Sequence, residues 1–182
     1  MTSITSRHWR IFWLLYVIAW AMLIWMGIKS GEIAAAAAPY SIASHQAAGD
    51  AATVDAIQLR WQQAGQYPLA KFSMWVDIVF IAFAMLSGLL GGRLIQQRAG
   101  NQALQALAIL VMAIWVVAGV TDYAETIPQL IQVSMQRGSD SLAALAAAMR
   151  PIKNLAYIGG TLLLWVGLGW LAFDRRKRPG TY

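Results

Sequence analysis

Residues 72–92 read FSMWVDIVFIAFAMLSGLLGG, and Asp77 is the only charged side chain in this stretch. An α-helix needs about 20 predominantly apolar residues to cross the hydrocarbon core of a bilayer. The stretch therefore predicts a transmembrane helix. It decides the fold class because the rest of the chain contains three more stretches of comparable length and composition.

These further spans are predicted at residues 11–28, 103–128 and 141–173. Only 12% of the chain is charged, against about 25% in soluble domains. We therefore predict an all-α integral membrane four-helix bundle, with residues 1–182 forming a single membrane domain. A signal peptide is the competing interpretation of the first stretch. That stretch is long for a leader and rich in tryptophan, so we expect a true span.

The long connection at residues 29–70 is predicted to carry a short amphipathic helix at 50–63. Val54, Ile57 and Trp61 recur there at spacings of three and four, which places them on one helix face. We expect this helix either to lie on the outer bilayer surface or to cap the bundle.

The distribution of basic residues predicts the orientation. Eight of the fourteen Lys and Arg residues lie in the two tails and in the connection after residue 92. The other six lie at the two longer connections, which also carry four acidic residues. Because cytoplasmic loops carry the excess of Lys and Arg, we predict that both termini are cytoplasmic and that residues 29–70 are outside. The expected location is a bacterial inner (plasma) membrane, crossed several times.

Composition also limits the function classes. The chain has no cysteine and only two histidines, His8 and His45, which the predicted topology separates across the membrane. We therefore expect no cofactor and no metal, and we expect His45 to be a solvated loop side chain. The net charge of +6 owes much to the basic group at 175–178, a typical cytoplasmic anchor. No nucleic-acid recognition motif is present, so nucleic acid is not an expected partner.

Polar residues gather near the outer ends of three spans. Seven of them are expected at one depth: Asp77, Asp122, Glu125, Arg150, Lys153, Asn154 and Tyr157. A charge inside a bilayer costs roughly 2.5 kcal/mol or more unless it is paired or reaches water. Two interpretations follow, an ion-pair network that holds the spans together and a ligand-binding pocket that opens to the outer leaflet.

Three functions are compatible with this pattern. The leading hypothesis is a non-catalytic protein that binds a lipid-like or small amphipathic ligand, or a partner helix, at the outer polar site. The second is a membrane-embedded acid–base enzyme of isomerase or cyclase type, with Asp77, Asp122 and Glu125 as acid and base. The third is a small proton- or cation-coupled transporter, although the inner halves of the spans offer no polar path. The expected partners are the lipid bilayer and a hydrophobic small molecule or a membrane protein.

One combination of motifs also suggests a family. Asp77 stands three residues before Phe80 in the second span, Asp122 stands three before Glu125 in the third, and Lys153 opens the fourth. This combination resembles small four-helix bacterial inner-membrane proteins of unassigned function. Those proteins often have Asn after the glutamate, where this chain has Thr126. The resemblance implies an inner-membrane helical bundle and no particular activity.

Overall fold

The computed structural model describes residues 6–177, with side chains to residue 173. The predicted basic anchor at 175–178 therefore lies outside the described side chains. The six helices of the described chain are α1 (Ser6–Ala36), α2 (Ile42–Ala47), α3 (Ala51–Gln63), α4 (Tyr67–Arg98), α5 (Gln102–Met135) and α6 (Asp140–Lys177). Residues 6–177 contain no β-strand. The prediction of an all-α chain is confirmed.

Four of these helices, α1, α4, α5 and α6, are long and apolar enough to cross a membrane. Each contains one predicted span and extends beyond it at both ends. The shortest of the four, α1, has 31 residues, whereas a span needs about 20.

Packing among the long helices depends on small residues. Helix α4 contacts α1, α5 and α6, and α5 lies between α4 and α6. A Cβ atom at Gly88 would lie 2.1 Å from Cγ of Trp115, and one at Gly92 would lie 2.5 Å from Cγ of Met112. These glycines therefore let α4 and α5 approach closely, as small residues at a spacing of four do in membrane helices.

The end of α5 differs from the prediction. The third span was predicted to end at about residue 128, but α5 continues through Pro128 to Met135. The added residues are held by tertiary contacts. Leu130 and Val133 are buried in a cluster with residues of α3 and α4, and the Tyr67 hydroxyl donates a hydrogen bond to the Val133 carbonyl. Such packing compensates for the hydrogen bond that a proline removes from a helix.

Helices α2 and α3 cover one end of the four long helices, which we call the α2–α3 end. The predicted helix at 50–63 is present as α3, and the Asp50 carboxylate caps it by accepting from the Thr53 amide at 2.7 Å. Val54, Ile57 and Trp61 are fully buried against the rest of the protein. The apolar face of this helix therefore packs against the protein, as the capping role requires, while its position relative to a bilayer stays a prediction.

His45 is buried, so the expectation of a solvated side chain is wrong. It lies on α2, only 1% exposed, with its ring stacked on Trp61 at 5.2 Å between centroids. Burial lowers the pKa of His45 from 6.5 to about 4, because the protonated ring would lose its hydration. The six-residue helix α2 had no sequence signal strong enough to predict this packing.

Candidate functional site

A cavity of about 700 Å³ lies between α1 and α6. It exists because α1 packs mainly on α4 while α6 packs mainly on α5, which leaves a gap between α1 and α6. Side chains of α4 and α5 form its floor. Its volume falls within the range of about 300–1,000 Å³ that is typical of small-molecule sites.

Contacts between helices border the cavity at both ends. At the α2–α3 end, α2 covers it with Ile42, Ala43 and Gln46, and Arg150 Nη1 donates to the Ala43 carbonyl oxygen at 2.9 Å. At the opposite end, Trp165 Nε1 donates to the Tyr16 hydroxyl at 2.8 Å. The exposed lining side chains, Trp20 and Leu23 on α1 and Ile158 and Leu162 on α6, indicate that the cavity opens laterally between these two helices.

The lining changes character along the cavity. Near the α2–α3 end it is polar, with Ser30, Gln46, Ser73, Asp77, Asp122, Gln129, Arg150, Lys153, Asn154 and Tyr157. Towards the opposite end it is mainly apolar and aromatic, with the hydroxyls of Ser87 and Thr161 among Tyr16, Ala19, Trp20, Leu23, Phe80, Ala84, Trp115, Ile158 and Leu162. A cavity of this kind matches a ligand that is polar at one end and apolar at the other.

Four charged residues in the polar half, Asp77, Asp122, Glu125 and Lys153, form what we call the acid–lysine cluster. Lys153 Nζ lies 2.8 Å from Asp122 Oδ1 and 2.6 Å from Glu125 Oε2. Lys153 is 8% exposed, Asp122 1% and Glu125 0%. Breaking such a buried pair from one side leaves an uncompensated charge, so the cluster links α5 to α6 strongly.

Helical spacing explains how these side chains meet. Asp122 and Glu125 are three apart and share one face of α5, as residues at that spacing do. Lys153 and Tyr157 are four apart on α6, and the Tyr157 hydroxyl donates to Asp122 Oδ2 at 2.9 Å. Both carboxylates of α5 are therefore bound by groups from α6.

Asp77 occupies a different position in the cluster. Its Oδ2 accepts a hydrogen bond from the Thr126 hydroxyl at 2.8 Å. Its Oδ1 has no hydrogen-bond partner, and no basic side chain pairs with it, among residues 6–173. Asp77 is half-buried and lines the cavity. It is the acid of the cluster that remains open to a ligand.

The structure thus brings five of the seven predicted site residues into direct or hydroxyl-bridged contact. Arg150 and Asn154 also line the cavity, but Arg150 contacts the backbone of α2 and Asn154 is exposed. Whether these residues form a functional site stays a prediction.

Sequence reasoning missed several residues that line the cavity or contact the acid–lysine cluster. Thr126 and Gln129 each lie four residues after an acid of α5, a spacing that could have indicated them. Gln129 Nε2 donates to Glu125 Oε1 at 3.2 Å. Gln46 lies on α2, which was not predicted.

The cluster does not have the geometry of a metal site, because Lys153 lies between Asp122 and Glu125. Among the described residues, no three His, Cys, Asp or Glu side chains are grouped so that they could hold a metal ion.

Comparisons with protein-family models, with curated proteins and with solved structures find no match to this chain. The function therefore has to be argued from the geometry of the site.

Proposed function

We propose that this chain is a multi-pass protein of a bacterial inner membrane that binds one lipid-like amphipathic molecule, without catalysis, in the cavity between α1 and α6. The observation that carries the proposal is the cavity itself, polar at the α2–α3 end, apolar beyond it and open laterally. With both termini cytoplasmic, the polar half lies at the outer leaflet.

The rim of the opening supports entry from the bilayer. Trp20 and Leu23 on α1 are each 42% exposed, and Ile158 and Leu162 on α6 are 60% and 62% exposed. Such side chains favour contact with lipid tails over water. A lipid-like molecule therefore enters between α1 and α6 without leaving an apolar environment.

A partner helix fits the cavity less well than a small molecule. A helix with its side chains is about 10–12 Å wide, and a transmembrane helix runs the full depth of the bilayer. The cavity is bordered at one end by α2 and at the other by the Trp165–Tyr16 hydrogen bond. The cavity therefore suits a small molecule that lies within it better than a helix that crosses the whole bilayer.

The two other functions have weaker support. An acid–base enzyme of the expected kind needs a pair of carboxylates that are free to exchange protons, but Lys153 engages Asp122 and Glu125, which leaves only Asp77 without an ion pair. A transporter needs polar groups along its path, but the half of the cavity away from α2 is mainly apolar. Binding uses the apolar half, the polar half and the lateral opening together.

Photolabelling tests this function. The chain in phosphatidylcholine nanodiscs is titrated with hexadecanol that carries a diazirine in its chain, and labelled peptides are quantified by mass spectrometry. We expect labelling that saturates on the peptides that contain Trp20 and Leu23, above the linear labelling of lipid-facing surfaces. Labelling that rises only linearly on every peptide would overturn the proposal.

Two glycines of α1 provide a matched pair of variants. Gly27 lines the cavity, Gly31 one turn later does not, and a Cβ at either position meets nothing within 4 Å. We expect Gly27→Phe to fill the cavity and abolish the saturable labelling. Gly31→Phe adds the same side chain to the same helix and is expected to leave the labelling unchanged.

A further inference from the structure

Asp77 and the shape of the cavity point to the chemical class of the ligand. We propose that the ligand is a single-chain amphiphile whose polar head carries a cationic amine, and that this amine binds Asp77. The proposal rests on the proposed function, because it assigns the head group of the molecule that the cavity holds.

The charges of the acid–lysine cluster are unbalanced. Its three carboxylates face one lysine, and both ion pairs of that lysine are made to Asp122 and Glu125. Asp77 receives only the Thr126 hydroxyl, its Oδ1 has no hydrogen-bond partner among residues 6–173, and the residue lines the cavity. In its ionised form, which a bound cation would stabilise, the Asp77 carboxylate accepts hydrogen bonds and donates none. A ligand group that binds there has to donate, and a cation also restores the charge balance.

The hydrogen bonds around Asp77 also favour a ligand that donates a hydrogen bond. The hydroxyls of Thr126 and Tyr157 donate to Asp77 and Asp122 respectively, so neither proton is available to a ligand that needs a donor. At the Asp77 and Asp122 carboxylates themselves, a ligand therefore meets acceptor oxygens and no free hydroxyl donor. Charge-assisted hydrogen bonds are the strong ones in such a setting, which favours an amine over a hydroxyl.

One cationic side chain of the lining, Arg150, would favour an anionic head group instead of a cationic one. Arg150 lies at the α2–α3 end, where Nη1 donates to the Ala43 carbonyl. Its other N–H groups could bind an anionic head. Arg150 is held against the backbone of α2, whereas Asp77 lines the cavity and has an oxygen without a hydrogen-bond partner among residues 6–173. The geometry favours Asp77 as the group that selects the head.

The dimensions of the cavity fit one chain in one leaflet. Its lining on α1 runs from Tyr16 to Ser30, which is about 21 Å at ~1.5 Å per residue. Half of the hydrocarbon core is about 15 Å deep, so the cavity spans the tail region of one leaflet and part of the head region. A volume of about 700 Å³ holds one small amphiphile.

Competition between three head groups tests the inference. Hexadecylamine, hexadecanol and hexadecanoic acid share one chain, and each is made with the same diazirine. In nanodiscs of neutral phosphatidylcholine, we expect half-saturation of cavity labelling at an about 10- to 100-fold lower concentration for the amine than for the alcohol. Asp77→Asn should remove this preference. Glu32→Gln, which removes a surface charge at the same end of the helices, should keep it.

The outcomes separate this inference from the proposed function. Saturable labelling of the cavity with equal half-saturation for amine and alcohol overturns the amine assignment and leaves the proposed function standing. The same holds if the acid binds best and Arg150→Gln removes that preference. Absence of saturable labelling with all three heads overturns both. The comparison of the three head groups on the wild-type protein tests the amine assignment even if Asp77→Asn fails to fold.

Discussion

Replacing Lys153 with Met tests the acid–lysine cluster as a structural element. The change removes the cation that lies 2.8 Å from Asp122 and 2.6 Å from Glu125. Both carboxylates are at most 1% exposed, so water does not replace the lysine. Breaking a buried pair from one side costs about 3–5 kcal/mol. That is a large share of a typical unfolding free energy of about 5–15 kcal/mol.

Second-site changes should recover the lost stability in steps. Asp122→Asn added to Lys153→Met removes one of the two uncompensated charges and should recover part of the loss. Adding Glu125→Gln as well should recover most of it, since a neutral buried site is often as stable as an ion pair. Coupling between neighbouring sites is expected at about 0.5–3 kcal/mol. The free energy of unfolding is measured by denaturant titration in detergent, followed by circular dichroism.

A surface pair provides the control. Lys29 lies 2.7 Å from Glu32, but their side chains are 29% and 48% exposed. Lys29→Met should therefore cost at most about 1 kcal/mol, as exposed pairs do. If Lys153→Met costs no more than Lys29→Met and shows no coupling to either acid, the account of the cluster is wrong.

Three further predictions concern packing, topology and pH. Gly88→Ala should destabilise the protein by about 1–3 kcal/mol because the added Cβ meets Trp115. Gly159→Ala should not, because its added Cβ lies in open space. Equal melting temperatures for the two variants would refute this. Single cysteines at Gln63 and Gln97 in this cysteine-free chain should react with an impermeant thiol reagent from opposite sides, and labelling of both from one side would contradict the topology. The free energy of unfolding should fall by about 2 kcal/mol from pH 7 to pH 5, because the pKa of His45 is near 6.5 in the unfolded chain and about 4 in the folded chain. His45→Phe should remove this pH dependence. An unchanged pH dependence in that variant would show that other groups cause it.

The sequence predicted the long helices because their signal is local. Uninterrupted apolar runs of about 20 residues have few alternatives to a helix, and spacings of three and four on α5 and α6 indicated which polar side chains share a face. The same local reasoning ended the third span at Pro128, although α5 continues past it. Contacts with α3 and α4, which are distant in sequence, decide that boundary.

The cavity, and the cover that α2 forms at one of its ends, could not be predicted because they also depend on contacts between residues that are distant in sequence. Its existence depends on α1 and α6 lying apart while each packs on another helix, and no residue pattern encodes a gap. Helix α2 has six residues, too few for a periodic signal, so the burial of His45 also escaped prediction. The polar residues of three spans were expected at one depth, but their connection to an apolar chamber required the three-dimensional packing.

The most direct test of the central claim is an experimental structure of the protein in nanodiscs of bacterial lipid. We expect an elongated density between α1 and α6, with its polar end within hydrogen-bond distance of Asp77 and its tail beside Trp20 and Trp115. Side chains of α1 and α6 that fill the space between Trp20 and Asp77, with no such density, would contradict it.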